Sequence, residues 1–229
     1  MTSISGIVND NNVAKSVAKT VLGTGSYLIN FKENRDEWFN LPDGTKLPVY
    51  CNCRYIHQDP SATKVVSCFL ESAVRLNCAS AELIVGLATA GIPWGSKIAE
   101  RLDLPFAYVR NSVKGYGSGR LVECAPKRGL KAVIVDDVCF SGESIIKSIS
   151  ALKSEFDIKI IGVVVIVGLS SLNYEENVWN DIRSTGATIH ALTDYGFILD
   201  EALNRGVLDK NQVNLMHEYY KSPKSYIWK

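Results

Sequence analysis

The chain has almost no net charge: across 229 residues, 25 lysines and arginines stand against 24 aspartates and glutamates. Without a global positive charge it lacks the electrostatic footprint of a nucleic-acid binder, so any anion site must be a local arrangement. Long apolar runs are also missing. The longest, residues 160–169, is far below the roughly 20 residues that span a bilayer, so it reads as a buried strand and no membrane partner is expected. The start, Met1-Thr2-Ser3-Ile4-Ser5-Gly6, has neither the basic cluster nor the apolar stretch of a secretory signal, which gives a cytoplasmic location as the expectation. Cysteines at zinc-site spacing are absent as well. Cys51 and Cys53 make a lone C-x-C near His57, while Cys68, Cys78, Cys124 and Cys139 are scattered, so buried or idle thiols are expected rather than a metal cage.

What is present is the composition of a globular protein, 46% hydrophobic and 21% charged. The length suits one domain with a substantial core, and no linker-like stretch divides it. Val13, Val17 and Val21, with Ala14 and Ala18 between them, predict an opening helix that ends at Gly23. Residues 27–55 are broken by Asn34-Arg35-Asp36, Pro42-Asp43-Gly44 and Pro48, which predicts short strands and turns. Together these make an N-terminal cap over about residues 1–60, leaving a core over about 61–229.

A helix is expected from Pro60 to Asn77, where Val65, Cys68, Phe69, Ala73 and Leu76 recur at helical spacing. Strands and helices then alternate: strand 83–87, helix 94–102, strand 106–109, strand 132–135, helix 144–156, strand 160–167, helix 177–184 and strand 188–192, with a last helix from Lys210. That order implies an α/β fold with a parallel sheet covered by helices. Ligands of such sheets lie beyond the carboxyl ends of the strands, which points to the loops 88–93 and 136–142.

The second loop is the more informative. Lys131-Ala132-Val133-Ile134-Val135 is an apolar strand that is expected to stop at Asp136-Asp137, and after Val138, Cys139 and Phe140 comes Ser141-Gly142-Glu143-Ser144 at the start of a helix. Unpaired amides at a helix N-terminus suit a phosphate, with the Ser141 and Ser144 hydroxyls as further donors. Asp136 and Asp137 suit ribose hydroxyls, or a Mg²⁺ held through its water shell while it neutralises a diphosphate. Helix capping alone would also account for two aspartates at a strand end. The segment 108–120 holds Gly115, Gly117 and Gly119 among Arg110, Lys114 and Arg120. Such a loop is a candidate lid that closes and stabilises leaving-group charge, although a solvated surface hairpin would have the same composition. Thr89, Ala90 and Gly91 lie in a second strand-to-helix turn on the same rim, with amides able to hold a diphosphate.

Pro48-Val49-Tyr50-Cys51-Asn52-Cys53-Arg54, Ala88-Thr89-Ala90-Gly91-Ile92-Pro93, Pro105-Phe106-Ala107-Tyr108-Val109-Arg110, the acidic turn and Ala191-Leu192-Thr193-Asp194-Tyr195 follow one another in an order that resembles the orotate phosphoribosyltransferase family, especially its bacterial members. The resemblance covers nearly the whole chain. It implies a type I phosphoribosyltransferase fold, with a Rossmann-like parallel core and an α+β cap, and an enzyme that uses Mg²⁺ and 5-phosphoribosyl 1-diphosphate to convert orotate to orotidine 5′-monophosphate. It also implies a homodimer whose lid loops reach the partner's site. By the same resemblance Arg110, Lys114 and Asp137 are the catalytic candidates; Thr89, Ala90, Gly91, Tyr116, Asp136, Val138, Cys139, Ser141, Gly142, Glu143 and Ser144 join them around phosphoribosyl diphosphate, and Tyr50 and Phe140 flank the base.

Two departures from the family pattern stand out. The lid has Asn111, Ser112 and Tyr116 where the family carries a lysine and a histidine, and Phe140 replaces a serine or threonine that contacts orotate. These leave two other readings open: a phosphoribosyltransferase for another base, and a non-catalytic ribose-phosphate-binding module.

Overall fold

The computed structural model describes residues 10–40, 44, 46–112, 119–140, 142–168, 180–221 and 226. Helix α1 (Asn11–Gly23) starts where Asp10 accepts the amides of Asn12 and Val13, and buries Ala14, Val17, Ala18 and Val21. The short strands expected next are β1 (Tyr27–Ile29), β2 (Phe39–Asn40), β3 (Lys46–Leu47) and β4 (Val49–Cys51), paired antiparallel as β1 with β4 and β2 with β3. A 3-10 segment, Cys53–Gln58, leads to α2 (Pro60–Asn77), whose first turn combines Asp59 as cap with Pro60, a residue that has no amide hydrogen to leave unpaired.

The central sheet is built from β5 (Leu83–Leu87), β6 (Phe106–Val109), β7 (Val122–Glu123), β8 (Lys131–Cys139), β9 (Lys159–Gly168) and β10 (Thr188–Asp194). Their spatial order is β10-β9-β8-β5-β6-β7. All neighbours pair parallel except β6 with β7. β5 is buried at every position, and so is β9 apart from Lys159 and Ile161, as expected of strands with helices on both faces. The connecting helices are α3 (Gly91–Leu102) and α4 (Glu143–Phe156), followed at the end of the chain by α5 (Tyr195–Asn204) and α6 (Lys210–Lys221).

From β5 the chain moves through α3 to β6 on one side, then returns to lay β8 on the other side of β5 and moves through α4 to β9. Right-handed crossovers that run in opposite directions place α3 and α4 on opposite faces of the sheet. The reversal also creates a crevice between the carboxyl ends of β5 and β8, the position where open α/β sheets hold their ligands.

Several expectations shift in detail. Helix α3 begins at Gly91, three residues before Trp94, because the loop 88–90 turns directly into it. β8 does not stop at Asp136-Asp137. It continues to Cys139, because β9 is long enough to supply ladder partners, with Asp136 opposite Val165 and Cys139 opposite Gly168. The two-residue strand β7 and helix α5 were not foreseen, and the sheet is mixed because β7 runs antiparallel. Of the helix expected at 177–184, residues 180–184 are helical and the rest lies outside the described residues.

β7 is held by a long-range contact: the Glu155 carboxylate on α4 accepts the amides of Leu121 and Val122 at 3.0 and 3.1 Å. Glu155→Ala is expected to cost about 2 kcal/mol, the scale of hydrogen bonds to a charged group, read as a lower urea midpoint with an unchanged slope. Among the described residues, no helix is long and apolar enough to cross a membrane.

Candidate active site

Three glycines let the start of α3 press closely against β5, β6 and the end of β8. A β-carbon on Gly91 would lie 2.5 Å from the Val135 carbonyl oxygen and 3.0 Å from Asp136 Oδ1. One on Gly86 would lie 2.7 Å from the Gly91 carbonyl oxygen, and one on Gly95 would lie 2.9 Å from the Phe106 ring. The turn carrying Thr89, Ala90 and Gly91 is thereby pressed against the acidic end of β8. The peptide between Ala88 and Thr89 is cis.

β8 pairs with β5 only as far as Val135 opposite Gly86, whereas its ladder with β9 runs on to Cys139. The last residues of β8 therefore have one strand neighbour and face the crevice on the other side. Here Asp136 Oδ1 accepts the Asp137 amide at 2.9 Å, and Asp137 Oδ1 accepts the Val138 amide at 2.8 Å. Neither carboxylate is within ion-pair distance of a described cation; the Arg54 charge acts on Asp137 from farther away.

Burial, reinforced by the charge of Asp137, holds the Asp136 carboxyl well above the ordinary carboxylate range. Burial raises Asp137 too, and the Val138 amide and Arg54 oppose the rise. Two desolvated carboxyls side by side, each with oxygen lone pairs left over, are poised to accept sugar hydroxyls or a cation's waters. Among the described residues no group of three His, Cys, Asp or Glu side chains forms a metal cage. A Mg²⁺, which keeps much of its water and shares its charge with substrate phosphates, needs no such cage, and the pair fits it.

After Cys139 and the half-buried Phe140 the chain turns through Gly142, whose φ of +70° is a left-handed conformation that suits glycine. Helix α4 then starts at Glu143 with no side-chain cap among the described residues, so its first-turn amides and the exposed Ser144 face outward. That is an anion site in form, next to the carboxylates. Thr89, Ala90 and Gly91, before and at the start of α3, thus share one rim with Asp136, Asp137, Val138 and Cys139 at the end of β8, and with Phe140, Gly142, Glu143 and Ser144, which lead into α4. Ser141, Lys114 and Tyr116 lie outside the described residues.

Arg110 follows β6, and its amide donates to the Leu121 carbonyl at 3.0 Å. Its guanidinium donates to the Ser112 carbonyl at 3.2 Å and lies 3.6 Å from Glu123, so in this chain it is turned toward β7. Tyr50 sits in the cap with its ring 5.9 Å from that of Phe39. The cap reaches the acidic turn instead through the residues just after Tyr50. Cys53 is buried 3.7 Å from the Cys51 sulfur, and its thiol is pushed up by that contact, by burial and by the nearby Asp137. Arg54, at the end of the Pro48–Arg54 segment, is the cation whose charge acts on Asp137, a role its sequence position alone does not signal.

Residues 73–196 match the model of the phosphoribosyl transferase domain family. The orotate phosphoribosyltransferase of Bacillus mycoides (strain KBAB4) is 28% identical over 215 residues, which is 93% of this chain and 98% of the relative. The crystal structure of the orotate phosphoribosyltransferase from Aeropyrum pernix superposes with a TM-score of 0.69 at 28% identity, covering 84% of this chain and 99% of that one. Leishmania donovani UMP synthase shares the fold, with a TM-score of 0.72 at 20% identity over 90% of this chain and 42% of that one. The switch-point crevice, with its acidic strand end, open helix N-terminus and glycine-tight facing turn, lies within the matched residues, and the chain belongs to the phosphoribosyltransferase family.

Proposed function

We propose that the chain transfers the 5-phosphoribosyl group of 5-phosphoribosyl 1-diphosphate to orotate, releasing diphosphate and forming orotidine 5′-monophosphate. The observation that carries this reading is the juxtaposition, at the β5/β8 switch point, of the Asp136-Asp137 pair, the uncapped start of α4 and the Ala88–Gly91 turn. The ribose 5-phosphate end goes to the α4 amides with Ser141 and Ser144, the ribose hydroxyls to Asp136 and Asp137, and the diphosphate to the backbone of Thr89, Ala90 and Gly91. Asp136 and Asp137 would hold a Mg²⁺ through its water shell, and the ion would supply charge neutralisation for the diphosphate. The anomeric carbon passes through an oxocarbenium-like state, so the chain's work is to fix the two reactants and to stabilise developing charge. Arg110, Lys114 and Tyr116 serve the leaving diphosphate from a neighbouring subunit, which makes the working unit a homodimer of one-domain chains in the cytoplasm.

Phe140 favours a second reading, transfer to a different base. A phenyl ring offers a stacking face where a hydroxyl would offer hydrogen bonds, and a site without the polar partner of an acidic pyrimidine loses discrimination for it. The deciding assay follows diphosphate release from protein, phosphoribosyl diphosphate and Mg²⁺ with orotate, then with a panel of other bases. Turnover with orotate alone supports the first reading. Turnover only with another base selects the second, and retained ligand binding with no turnover defeats both. If orotate is the acceptor, Phe140→Ser is expected to raise kcat/KM for orotate about tenfold, the worth of about 1.4 kcal/mol from a restored hydrogen bond.

A further inference from the structure

A groove lined mainly by polar and charged residues lies away from the crevice, between α2 and α3. It has a volume of about 670 Å³, and Lys64, Lys97 and Arg101 line it together with His57 and a single carboxylate, Glu100. That size is in the range of small-molecule sites. We propose that this groove is a separate binding site for a phosphate-bearing small molecule.

The groove's hydroxyls are not free to bind an anion as donors: Thr63 donates to the Ile56 carbonyl at 3.0 Å, and Ser67 donates to the Thr63 carbonyl at 2.7 Å. Recognition therefore falls to the charged ends. Lys64 and Lys97 are exposed point charges, which suit a phosphate oxygen approached from several directions. Arg101 is fixed in place by Glu71, to which its Nε donates at 2.5 Å, and by the Cys68 sulfur at 3.1 Å. Glu71 itself lies behind Arg101 and also accepts from Arg75 at 2.9 Å. Among the described residues Glu100 is the one acidic group on the lining, placed to accept a hydroxyl of a sugar phosphate.

His57 adds a second, independent feature. Its ring stacks on Trp94 with centroids 4.2 Å apart, and His57 Nε2 and the indole Nε1 of Trp94 are both buried without a hydrogen-bond partner among the described residues. Burial first, and then the charge of Lys97, holds the imidazole below its ordinary titration range. An anion among the lysines reverses the second of these effects. Trp94 is fully buried three residues after Gly91, and Gly91 rests against Asp136, so an occupied groove is joined to the crevice through the first turn of α3.

The test is NMR of the full-length protein with isotope-labelled histidine, with the His57 signal assigned by its loss in His57→Gln. Inorganic phosphate and ribose 5-phosphate are titrated separately to about 10 mM, enough to saturate a millimolar Kd. The His57 pKa should rise with at least one of them, and the rise should vanish in Lys64→Ala/Lys97→Ala, whose exposed substitutions leave thermal unfolding unchanged. A response to phosphate alone identifies a free anion as sufficient; a response only to ribose 5-phosphate identifies a sugar phosphate. The proposal is overturned if His57 responds to neither ligand. It is equally overturned if the response persists in the double variant, since the signal then comes from the β5/β8 crevice. A His57 signal that changes on dilution alone also overturns it, because the groove is then covered by a second copy of the chain.

Discussion

Replacing Asp137 with asparagine is expected to lower kcat/KM for phosphoribosyl transfer by at least about 100-fold, on the scale of losing one preorganised electrostatic partner, while making the ligand-free protein harder to unfold. The two effects share one cause. Asp137 and Asp136 are desolvated side by side, and burial raises both carboxyls above their ordinary range. A carboxyl with a raised folded-state pKa favours the fold while it is protonated, below its unfolded pKa of about 3.9, and opposes the fold increasingly as pH rises through the interval up to the raised value. Asparagine keeps the shape without the charge. The variant should therefore gain on the order of 1 kcal/mol at pH 7, or about 2–4 °C in Tm, and this gain should disappear near pH 3, where the wild-type pair is neutral. Thermal unfolding at both pH values, beside a diphosphate-release assay, checks the claim. Undiminished activity in Asp137→Asn, or a Tm at pH 7 below the wild type, would remove Asp137 from the ribose role.

Gly91→Ala should damage both fold and activity, for a steric reason. The added methyl would sit 2.5 Å from the Val135 carbonyl oxygen and 3.2 Å from the Asp136 Cα, both backbone atoms that no side-chain rotation can move. Relief requires the β5–α3 turn to move off β8, at a cost of about 3 kcal/mol for overpacking. Since Thr89, Ala90 and Gly91 form the turn assigned to the diphosphate, a displacement near 1 Å should cost about 100-fold in turnover among the molecules that stay folded. Gly23→Ala is the control: its nearest neighbour would be Arg205 at 3.8 Å, so stability should stay within about 0.5 kcal/mol. Equal behaviour of the two variants would mean that the closeness of turn and acidic strand is unimportant.

Local chemistry explains which parts of this structure can be read from sequence. Leu83–Leu87 and Phe106–Val109 are short apolar runs between breakers, and Pro60–Asn77 has both its cap and its stripe in view. Aspartate is depleted in strands, so Asp136-Asp137 reads as an end; the long neighbouring β9 overrides that preference by offering ladder partners. β7 has two residues and no periodicity, and it exists because Glu155, more than thirty residues away, holds its amides. The acidic turn and the glycine turn were visible as separate motifs. Their contact depends on strand order, which periodicity does not carry. Arg54 lies in a recognisable segment, but its longer-range electrostatic effect on Asp137 depends on the 3-10 segment folding onto β8. Helix α5 did have a signal, since Asp194 accepts the Phe197 amide as an N-cap.

The junction of β6 and β7 has a consequence for chain entropy. Arg110 and Leu121 are joined by a backbone hydrogen bond of 3.0 Å, Asn111 is tied to α4 by Lys147 at 3.2 Å, and Leu121 is tied to the same helix by Glu155. The ends of the intervening stretch are thus pinned at Arg110, Asn111 and Leu121. Closing a chain segment between pinned ends becomes costlier only logarithmically with its length, by about 0.6 kcal/mol for each doubling. Lengthening the stretch between Arg110 and Leu121 is therefore expected to cost the fold little through closure entropy, because both of its ends are already fixed.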